Sequence, residues 1–177
     1  MHLIDCVLES HAEPMLEIVN EAIANTTWVY DYQPRTQADL QAWFGERRAD
    51  GFPVIGAVDE AGNLLGYGTY GHFRHLPGYK YTVEHSVFVA RSARRRGVGT
   101  QLLLRLIELA RAGDFHVIIG AIDSSNAPSI ALHEALGFVL CATLQEVGYK
   151  HGRWLDALFY QRILETPLAP QEPPFEG

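Results

Sequence analysis

A turn rich in arginine and glycine, between a predicted strand and a predicted helix, carries residues that could bind a polyphosphate. Arg94, Gly97 and Gly99 have the spacing R-x-x-G-x-G, and the glycines let the backbone approach an anion without a Cβ in the way. The helix that follows offers unpaired N–H groups and the positive end of its dipole. The Lys-Ser/Thr pair of a Walker loop and the spacing of a dinucleotide fingerprint are both absent, which disfavours nucleotide hydrolysis and hydride transfer. The residues predicted to hold a pyrophosphate are Arg94, Arg95, Arg96, Gly97, Val98, Gly99 and Thr100.

A second polar motif opens the next predicted helix downstream. Asn126, Ser129, Leu132, Gly137 and Phe138 have the spacing N-x-x-S-x-x-L-x-x-x-x-G-F. A helix and a strand separate the two motifs. In this order they resemble the motifs of the GCN5-related N-acetyltransferases (GNATs), in which the first turn holds the pyrophosphate of acetyl-CoA. The resemblance implies an acetyl-CoA-dependent N-acetyltransferase.

Further stretches resemble the phosphinothricin and methionine sulfoximine acetyltransferases, a subgroup of L-amino-acid N-acyltransferases. They are residues 74–76, 81–89 and 147–156, and the whole resemblance covers roughly residues 3–164. It weakens between residues 24 and 35, where Trp28 and Tyr30 depart from the subgroup's pattern of small residues and Phe. The resemblance implies a small-molecule amine as acceptor, such as methionine sulfone, methionine sulfoximine or phosphinothricin. It also implies direct transfer in a ternary complex, without a covalent acyl-enzyme, and a homodimer.

Glu84 is the candidate general base. On a strand, Glu84 and Ser86 share one face while Val83, His85 and Val87 share the other, so Glu84 can face a cleft. An α-amino group has a pKa of about 7.7–8.0, so a modestly basic carboxylate suffices near neutral pH. In the resembled subgroup, the matching Glu accepts the amine proton directly or through water. The alternative is a solvated Glu on a strand.

His133 is the candidate proton donor to the departing CoA thiolate. Many members of the superfamily carry Tyr at this point, whereas this chain carries His, as the resembled subgroup does. An imidazolium could perform the same step. The alternative is a histidine on the helix surface with no role in proton transfer.

His85 has two interpretations. A β-bulge would turn it toward the site and free a backbone N–H, whereas a regular strand would make it a core histidine. In the superfamily, the splayed strand pairs with pantetheine and offers an N–H to the thioester oxygen, as an oxyanion hole does. The residues assigned to this role by resemblance are Val87, Phe88 and Val89.

Arg74 is the predicted clamp for a substrate carboxylate, because the guanidinium fork matches two oxygens in one plane. The alternative is an exposed arginine in a turn-rich loop. Asn126 is predicted to bond the CoA chain, to cap its helix, or to do both. The predicted substrate-binding residues are Trp28, Arg74, His75, Leu76, Glu84, His85 and Ser86, and Asn126 and Ser129 complete the predicted cofactor set.

The residue types argue against other chemistries. His72, His75 and His85 could suggest a metal site, but Cys partners at metal spacing are absent and acetyl transfer needs no metal. No serine lies in a G-x-S-x-G context, which leaves hydrolase chemistry unsupported. Two rival functions stay open: acetylation of a protein N-terminus or a polyamine, and a non-catalytic acyl-CoA sensor. The sensor predicts loss of the base, yet Glu84 is present.

Length and composition indicate one domain and argue against a nucleic-acid partner. A chain of 177 residues can bury about 70% of its unfolded surface. The net charge of −7 argues against nucleic-acid binding. The two cysteines lie far apart without C-x-x-C spacing, and no stretch approaches the ~20 apolar residues of a membrane span. With no basic and apolar leader at the N-terminus, these features predict a cytoplasmic protein.

The periodicity predicts an α+β domain over residues 1–164, followed by a Pro-rich, disordered tail over residues 165–177. The resemblance implies the GNAT acyl-CoA N-acyltransferase fold. It has a mostly antiparallel, seven-stranded sheet, splayed at the CoA site and flanked by about four helices. Strands are predicted at residues 3–8, 54–58, 64–73, 79–90, 115–122, 139–147 and 153–164. The first helix is predicted to open at Glu13 and Pro14.

Overall fold

The computed structural model describes residues 1–172, which form one seven-stranded sheet with four α-helices. The strands are β1 (His2–Asp5), β2 (Val54–Val58), β3 (Leu64–His72), β4 (Thr82–Val89), β5 (Val117–Asp123), β6 (Val139–Lys150) and β7 (Arg153–Ile163). The helices are α1 (Leu8–Asn25), α2 (Gln37–Ala49), α3 (Val98–Ala112) and α4 (Ala127–Ala135). The strand order is β1-β2-β3-β4-β5-β7-β6, and every neighbouring pair except β4–β5 is antiparallel. This architecture confirms the predicted fold class.

The sheet opens between β4 and β5. Their parallel pairing joins Thr82, Val83 and Glu84 to residues 117–119 and goes no further, although β4 continues to Val89. A β-strand beyond its last partner presents unpaired backbone groups. The splay is therefore at the predicted place, directly before the Arg/Gly turn.

Each face of the sheet has its own core. On one face, α3 buries Leu102, Leu103 and Leu106 completely, at the 3/4 spacing of an amphipathic helix. On the other, α1 and α2 bury Met15 and Leu40 in a second apolar cluster. β4 lies between these cores, so its alternating side chains enter both.

Helix α1 begins earlier than predicted. The expected start at Glu13 and Pro14 is wrong, because the helix begins at Leu8 and contains Pro14. His11 closes the first turn: its backbone N–H donates to Val7 O at 3.0 Å, and its Nδ1 accepts from the Val7 N–H at 3.0 Å. Pro14 has no backbone N–H, so the helix lacks one internal hydrogen bond there. Five apolar side chains after Pro14 are buried.

The segment after β7 contains no helix or strand through residue 172. The Thr166 carbonyl oxygen lies 2.7 Å from His116 Nδ1, and the Gln171 N–H donates to the Tyr81 hydroxyl at 3.0 Å. The predicted disorder of the tail stays a prediction, and its residues 173–177 lie outside the described part of the chain. Cys6 and Cys141 are both free thiols.

Candidate functional site

A cleft of about 870 Å³ opens where β4 and β5 diverge. It extends from the start of α3 to the start of α4, and its volume is within the range of small-molecule sites. All predicted cofactor residues except Arg96 line it, and so do Trp28, His85, Ser86 and His133 from the predicted substrate and catalytic sets. The cofactor residues in its wall are Val87, Phe88, Val89, Arg94, Arg95, Gly97, Val98, Gly99, Thr100, Asn126 and Ser129.

The start of α3 forms an anion site from backbone. Gly97 is the N-cap with φ of +79°, and it has no side chain to cap the helix. The first bond into the helix runs from the Gln101 N–H to Gly97 O at 3.1 Å. The N–H groups of the three residues between them have no partner within the helix, as in any first turn. They therefore point, with the helix dipole, toward the cleft where a pyrophosphate would bind.

The arginines of the turn do not all face the cleft. Arg94 donates to Glu21 Oε2 at 2.7 Å and lies over the Trp28 ring at 5.1 Å. Arg91 is 77% exposed and 4.0 Å from the same carboxylate. Arg96 is exposed outside the cleft. Arg94 thus links the turn to α1. Arg95 also lines the cleft, and it has no ion pair with any residue from 1 to 172.

The backbone of β4 supplies a second set of unpaired groups. The Ala90 N–H donates to Leu65 O of β3 at 2.9 Å. Peptide groups alternate in direction along a strand, so those of His85, Val87 and Val89 point the other way, toward β5. Because β5 no longer pairs there, these groups can bond an extended ligand or a thioester oxygen.

Asn126 caps α4, as predicted. Its side-chain oxygen accepts from the Ser129 N–H at 3.2 Å, and Pro128 occupies the first turn. The cap fixes the wall of the cleft opposite β4.

His85 is buried on a regular strand, faces His133 and also lines the cleft. The β3–β4 register runs from Gly66↔Val89 to His72↔Val83 without a shift, so β4 has no bulge at His85 in this pairing. The two Nε2 atoms lie 3.0 Å apart and the rings are stacked with centroids at 5.0 Å. A Cβ on Gly120 would come within 2.8 Å of both Nε2 atoms, so the pair requires glycine at that position of β5.

The hydrogen bonds of this pair fix its tautomers. His133 Nδ1 lies 2.7 Å from Ser129 O, and a carbonyl oxygen only accepts, so Nδ1 carries the proton. In the neutral pair, His133 Nε2 then accepts from His85 Nε2, and His85 Nδ1 is left buried without a partner. Burial lowers the pKa of His85 to about 3, with a further contribution from His133. Burial also lowers the pKa of His133, against the opposing effect of the Ser129 bond. Both rings are therefore neutral near pH 7.

Glu84 is half-buried on the opposite face of β4 and pairs with Gly71 across the β3–β4 ladder. Burial raises the pKa of Glu84, and the charge of Arg74 opposes this increase. The carboxyl group does not line the cleft, whereas Ser86, two residues along on the same face, does. The raised pKa of Glu84 is compatible with a base, while its side chain lies beside the cleft and not in its wall.

Arg74, His75 and Leu76 are exposed and line neither the cleft nor the smaller cavity behind it. The Arg74 guanidinium lies over the Phe73 ring at 5.2 Å. The charge of Arg74 thus lowers the pKa of Glu84, but residues 74–76 do not form part of the cleft wall.

Residues 26–35 form a further wall that was only partly predicted; we call this segment the acceptor loop. Tyr30 donates to Asp156 O at 3.1 Å and lies so close to Gly148 that a Cβ there would be 2.7 Å from its ring. The buried Lys150 Nζ donates to Val29 O at 2.7 Å and to Ile23 O at 2.6 Å. The sequence predicted Trp28 as a substrate-binding residue of this segment, but no local signal pointed to Lys150.

Asp123 and Tyr30 both line the cleft, and the sequence did not predict that they interact. Asp123 is 4% exposed, and its Oδ2 is buried without a hydrogen-bond partner. Burial raises the pKa of Tyr30 to about 12, with a further contribution from Asp123.

Within residues 1–172, no three His, Cys, Asp or Glu side chains assemble as a metal site. Over the same residues, no helix has the length and apolar content needed to cross a membrane.

Comparison with known proteins agrees with this geometry. The model of the "Acetyltransferase (GNAT) family" matches residues 18–138. An L-methionine sulfoximine/L-methionine sulfone acetyltransferase from Pseudomonas paraeruginosa is 47% identical over 157 residues, which are 88% of this chain and 91% of that protein. A phosphinothricin N-acetyltransferase from Streptomyces viridochromogenes is 36% identical over 88% of this chain and 84% of its own length. The crystal structure of a GNAT superfamily phosphinothricin acetyltransferase from Sinorhizobium meliloti, in complex with acetyl-CoA, has a TM-score of 0.90 at 35% identity and covers 99% of this chain and 94% of that one.

Proposed function

Since this chain belongs to the acetyltransferase (GNAT) family and is an acetyl-CoA-dependent acetyltransferase, we propose that its acceptor is the amino group of a small amino acid or analogue. Methionine sulfone, methionine sulfoximine and phosphinothricin are the candidate acceptors, because relatives covering most of the chain carry those names. The observation that carries the proposal is the 47% identity, over 88% of this chain, to an L-methionine sulfoximine/L-methionine sulfone acetyltransferase. The cleft supports the acetyl-CoA part, because the unpaired edge of β4 leads directly to the first turn of α3.

Acetyl-CoA lies along this cleft. The pyrophosphate is held by the N–H groups of Val98, Gly99 and Thr100, with Arg95 adding charge. Pantetheine pairs with the β4 edge at Val87 and Val89, where one backbone N–H can bond the thioester oxygen. Asn126 and Ser129 complete the opposite wall.

The transfer is direct, in a ternary complex. The amine nitrogen attacks the thioester carbonyl carbon, Glu84 takes the amine proton directly or through water, and the C–S bond breaks to release CoA thiolate. The raised pKa of Glu84 supports this role, because it brings the carboxylate closer to the pKa of the amine. Backbone donors stabilise the developing oxyanion.

His133 is proposed as a wall residue and as the candidate donor to the thiolate. As donor it would have to be an imidazolium, which its lowered pKa disfavours. As a neutral ring bonded to both Ser129 and His85, it fixes the floor of the cleft. The two roles predict different consequences of the same substitution, given in the Discussion.

A homodimer is proposed through β6. This edge strand is exposed from residue 139 to 147 and carries exposed apolar side chains at Val139, Leu140 and Leu144. An edge strand with apolar faces is a template for pairing. Sedimentation analysis should give a dimer mass for the wild type and a monomer mass for Leu140→Glu, with Leu104→Glu, at an exposed leucine of α3, as the control. A monomeric wild type would contradict the proposal. We also propose a cytoplasmic location, which the two widely separated cysteines without C-x-x-C spacing support.

An acceptor panel tests the function. CoA-thiol release is measured with methionine sulfone, methionine sulfoximine, phosphinothricin, spermidine and a short peptide. Turnover confined to the three amino-acid analogues supports the proposal. Turnover with spermidine or the peptide instead would assign the enzyme to polyamines or protein N-termini, and tight CoA binding without any turnover would identify an acyl-CoA sensor.

A further inference from the structure

An aspartate at the end of β5 has one carboxylate oxygen without a hydrogen-bond donor. Asp123 Oδ1 accepts from the Ser125 N–H at 2.8 Å and also from the Ser125 hydroxyl. Asp123 Oδ2 is buried, and no group of residues 1–172 donates to it. Asp123 lines the cleft and has no ion pair over the same residues. Because proteins pair nearly all their buried polar atoms, an unpaired oxygen in a binding cleft indicates a donor that the ligand supplies.

The donors nearest to Asp123 are engaged elsewhere. The charge of Asp123 contributes to the raised pKa of Tyr30, so the two side chains are close. The Tyr30 hydroxyl has a single proton, however, and donates it to Asp156 O at 3.1 Å. The Arg153 guanidinium donates to the Ser125 hydroxyl oxygen at 3.5 Å. Asp123 Oδ2 is therefore available to a donor that enters the cleft.

Strand alternation places Asp123 on the face of the sheet that carries the proposed base. Glu84 pairs with Ile119 across the β4–β5 ladder, and paired residues have their side chains on the same face. Ala121 and Asp123 follow Ile119 at intervals of two residues, so they share this face. Asp123 lies about 7 Å beyond Ala121, the rise of two residues along a strand.

The space beside Asp123 is otherwise apolar. Ala157 of β7 lies opposite Asp123 in the β5–β7 ladder and also lines the cleft. The other apolar residues of this wall are Phe159, Leu144 and Val147. An apolar wall with one unpaired carboxylate oxygen suits a ligand side chain that has an apolar body and an N–H group at its end.

We propose that Asp123 accepts a hydrogen bond from an N–H group at the side-chain end of the acceptor amino acid, and that the enzyme therefore selects methionine sulfoximine over methionine sulfone and phosphinothricin. The proposal rests on the proposed function. The sulfoximine nitrogen carries a hydrogen that it can donate, whereas the two sulfone oxygens only accept. The phosphinate of phosphinothricin is an anion, which the carboxylate of Asp123 repels.

The dimensions of the cleft fit this acceptor. An amine that attacks a thioester held by residues 87–89, with Glu84 as base, lies beside Ser86. By the β4–β5 register, Ser86 is at the level of Ala121. The chain N–Cα–Cβ–Cγ–S–N of methionine sulfoximine spans about 6 Å when it is extended. This length is close to the rise from Ala121 to Asp123, so both nitrogens can reach their partners together.

Two nearly isosteric substrates test the proposal. Methionine sulfoximine has NH where methionine sulfone has O, so the ratio of their kcat/KM values cancels effects on folding and on CoA binding. The wild type should prefer the sulfoximine by roughly 10- to 100-fold, the range of one hydrogen bond to a charged group. Phosphinothricin should be the poorest of the three acceptors. Equal kcat/KM values for the sulfoximine and the sulfone would overturn the proposal and leave the proposed function intact.

Asp123→Asn should remove the preference. Asparagine keeps an oxygen for the Ser125 N–H, but it is neutral and its amide can donate to a sulfone oxygen. The ratio should therefore fall below about threefold, and kcat/KM for phosphinothricin should rise. Asp114→Asn, at an exposed aspartate before β5, is the matched control and should keep the wild-type ratio. A wild-type ratio in Asp123→Asn as well would overturn the proposal.

Isothermal titration calorimetry with the CoA-bound protein provides a readout that does not need turnover. Tighter binding of methionine sulfoximine than of methionine sulfone by the wild type, lost in Asp123→Asn, supports the role of Asp123 even if the acceptor panel shows no acetylation. Equal binding of the two compounds by the wild type, or binding of neither, overturns this role whatever the panel shows.

Discussion

The cofactor side of the cleft is made by consecutive segments within residues 84–138. Its acceptor side is the acceptor loop, which is held to β6 by Tyr30 beside Gly148 and by the bond from Lys150 Nζ to Val29 O. The cofactor side offers mainly backbone groups: the β4 edge and the first turn of α3. The acceptor side offers side chains, including Trp28, Tyr30 and Arg35, and the half-buried Glu84 lies beside it on β4. A side-chain substitution leaves backbone N–H and C=O groups in place. Cofactor binding therefore depends mainly on the backbone geometry of β4 and of the turn before α3. Acceptor choice instead depends on contacts between distant parts of the chain.

Removal of the base should have the largest effect. Glu84→Gln keeps the shape and the hydrogen bonding of the side chain but cannot take a proton, so kcat should fall by about 10²- to 10⁴-fold. Steady-state kinetics should show the KM for acetyl-CoA unchanged, because Glu84 lies outside the cofactor side. Glu108→Gln on the surface of α3 is the control. A loss of less than tenfold would remove Glu84 from the proton transfer.

A side chain that obstructs the anion site should weaken the binding of acetyl-CoA without changing the binding of the acceptor. A side chain at Gly99 would approach Leu132 Cδ2 within 3.3 Å and Val89 Cγ2 within 3.7 Å. Gly99→Val should therefore raise the KM for acetyl-CoA about 10- to 100-fold through loss of backbone bonds to the pyrophosphate. Gly45→Ala, in open space on α2, is the glycine control. Normal binding of acetyl-CoA to Gly99→Val would show that the pyrophosphate lies elsewhere.

These two predictions rest on features that the sequence made visible. Gly97, Gly99 and Asn126 work through local backbone geometry, so their spacing predicted their places, and strand alternation predicted that Glu84 and His85 face opposite ways. The pairing of Arg94 with Glu21 joins residues 73 positions apart, and no local pattern encodes it. The same is true of the bonds from Lys150 to Ile23 and Val29. The sequence left two alternatives for His85, because alternation cannot exclude a bulge. The regular register of β4 resolves them.

Substitution of His133 separates its two proposed roles. For a neutral wall residue, His133→Gln should lower kcat by less than about tenfold, the scale of one neutral hydrogen bond, and should leave the shape of the pH–rate profile unchanged. For a proton donor, the loss should be about 10²-fold or more, and the alkaline limb of the profile should disappear. The pKa directions favour the first result.

Release of the acceptor loop should affect acceptor binding but not cofactor binding. Lys150→Met removes both bonds from Nζ and leaves Ile23 O and Val29 O without this donor. Urea denaturation should show a loss of about 1–3 kcal/mol in the free energy of unfolding. The KM for the acceptor should rise several-fold while that for acetyl-CoA stays the same. Equal increases in both KM values would show that the two sides are not independent.

The smallest expected effect is a shift in pH dependence. The charge of Arg74 lowers the pKa of Glu84, against the increase caused by burial. Activity should fall as pH decreases through the pKa of Glu84, since the protonated form cannot act as base. Arg74→Gln should move this acidic limb of kcat/KM to higher pH by less than about one unit, because the two groups interact near solvent. A shift to lower pH would contradict the opposing roles of burial and charge.

Direct acetyl transfer to an amino acid is the central claim, and mass spectrometry of a single turnover tests it. The protein is mixed with acetyl-CoA, first alone and then with methionine sulfone. We expect N-acetylmethionine sulfone in an amount equal to the CoA released, no acetylated protein in either mixture, and almost no product with Glu84→Gln. An acetyl group retained on the protein with acetyl-CoA alone would contradict direct transfer. Absence of the N-acetyl product would contradict the amino-acid acceptor.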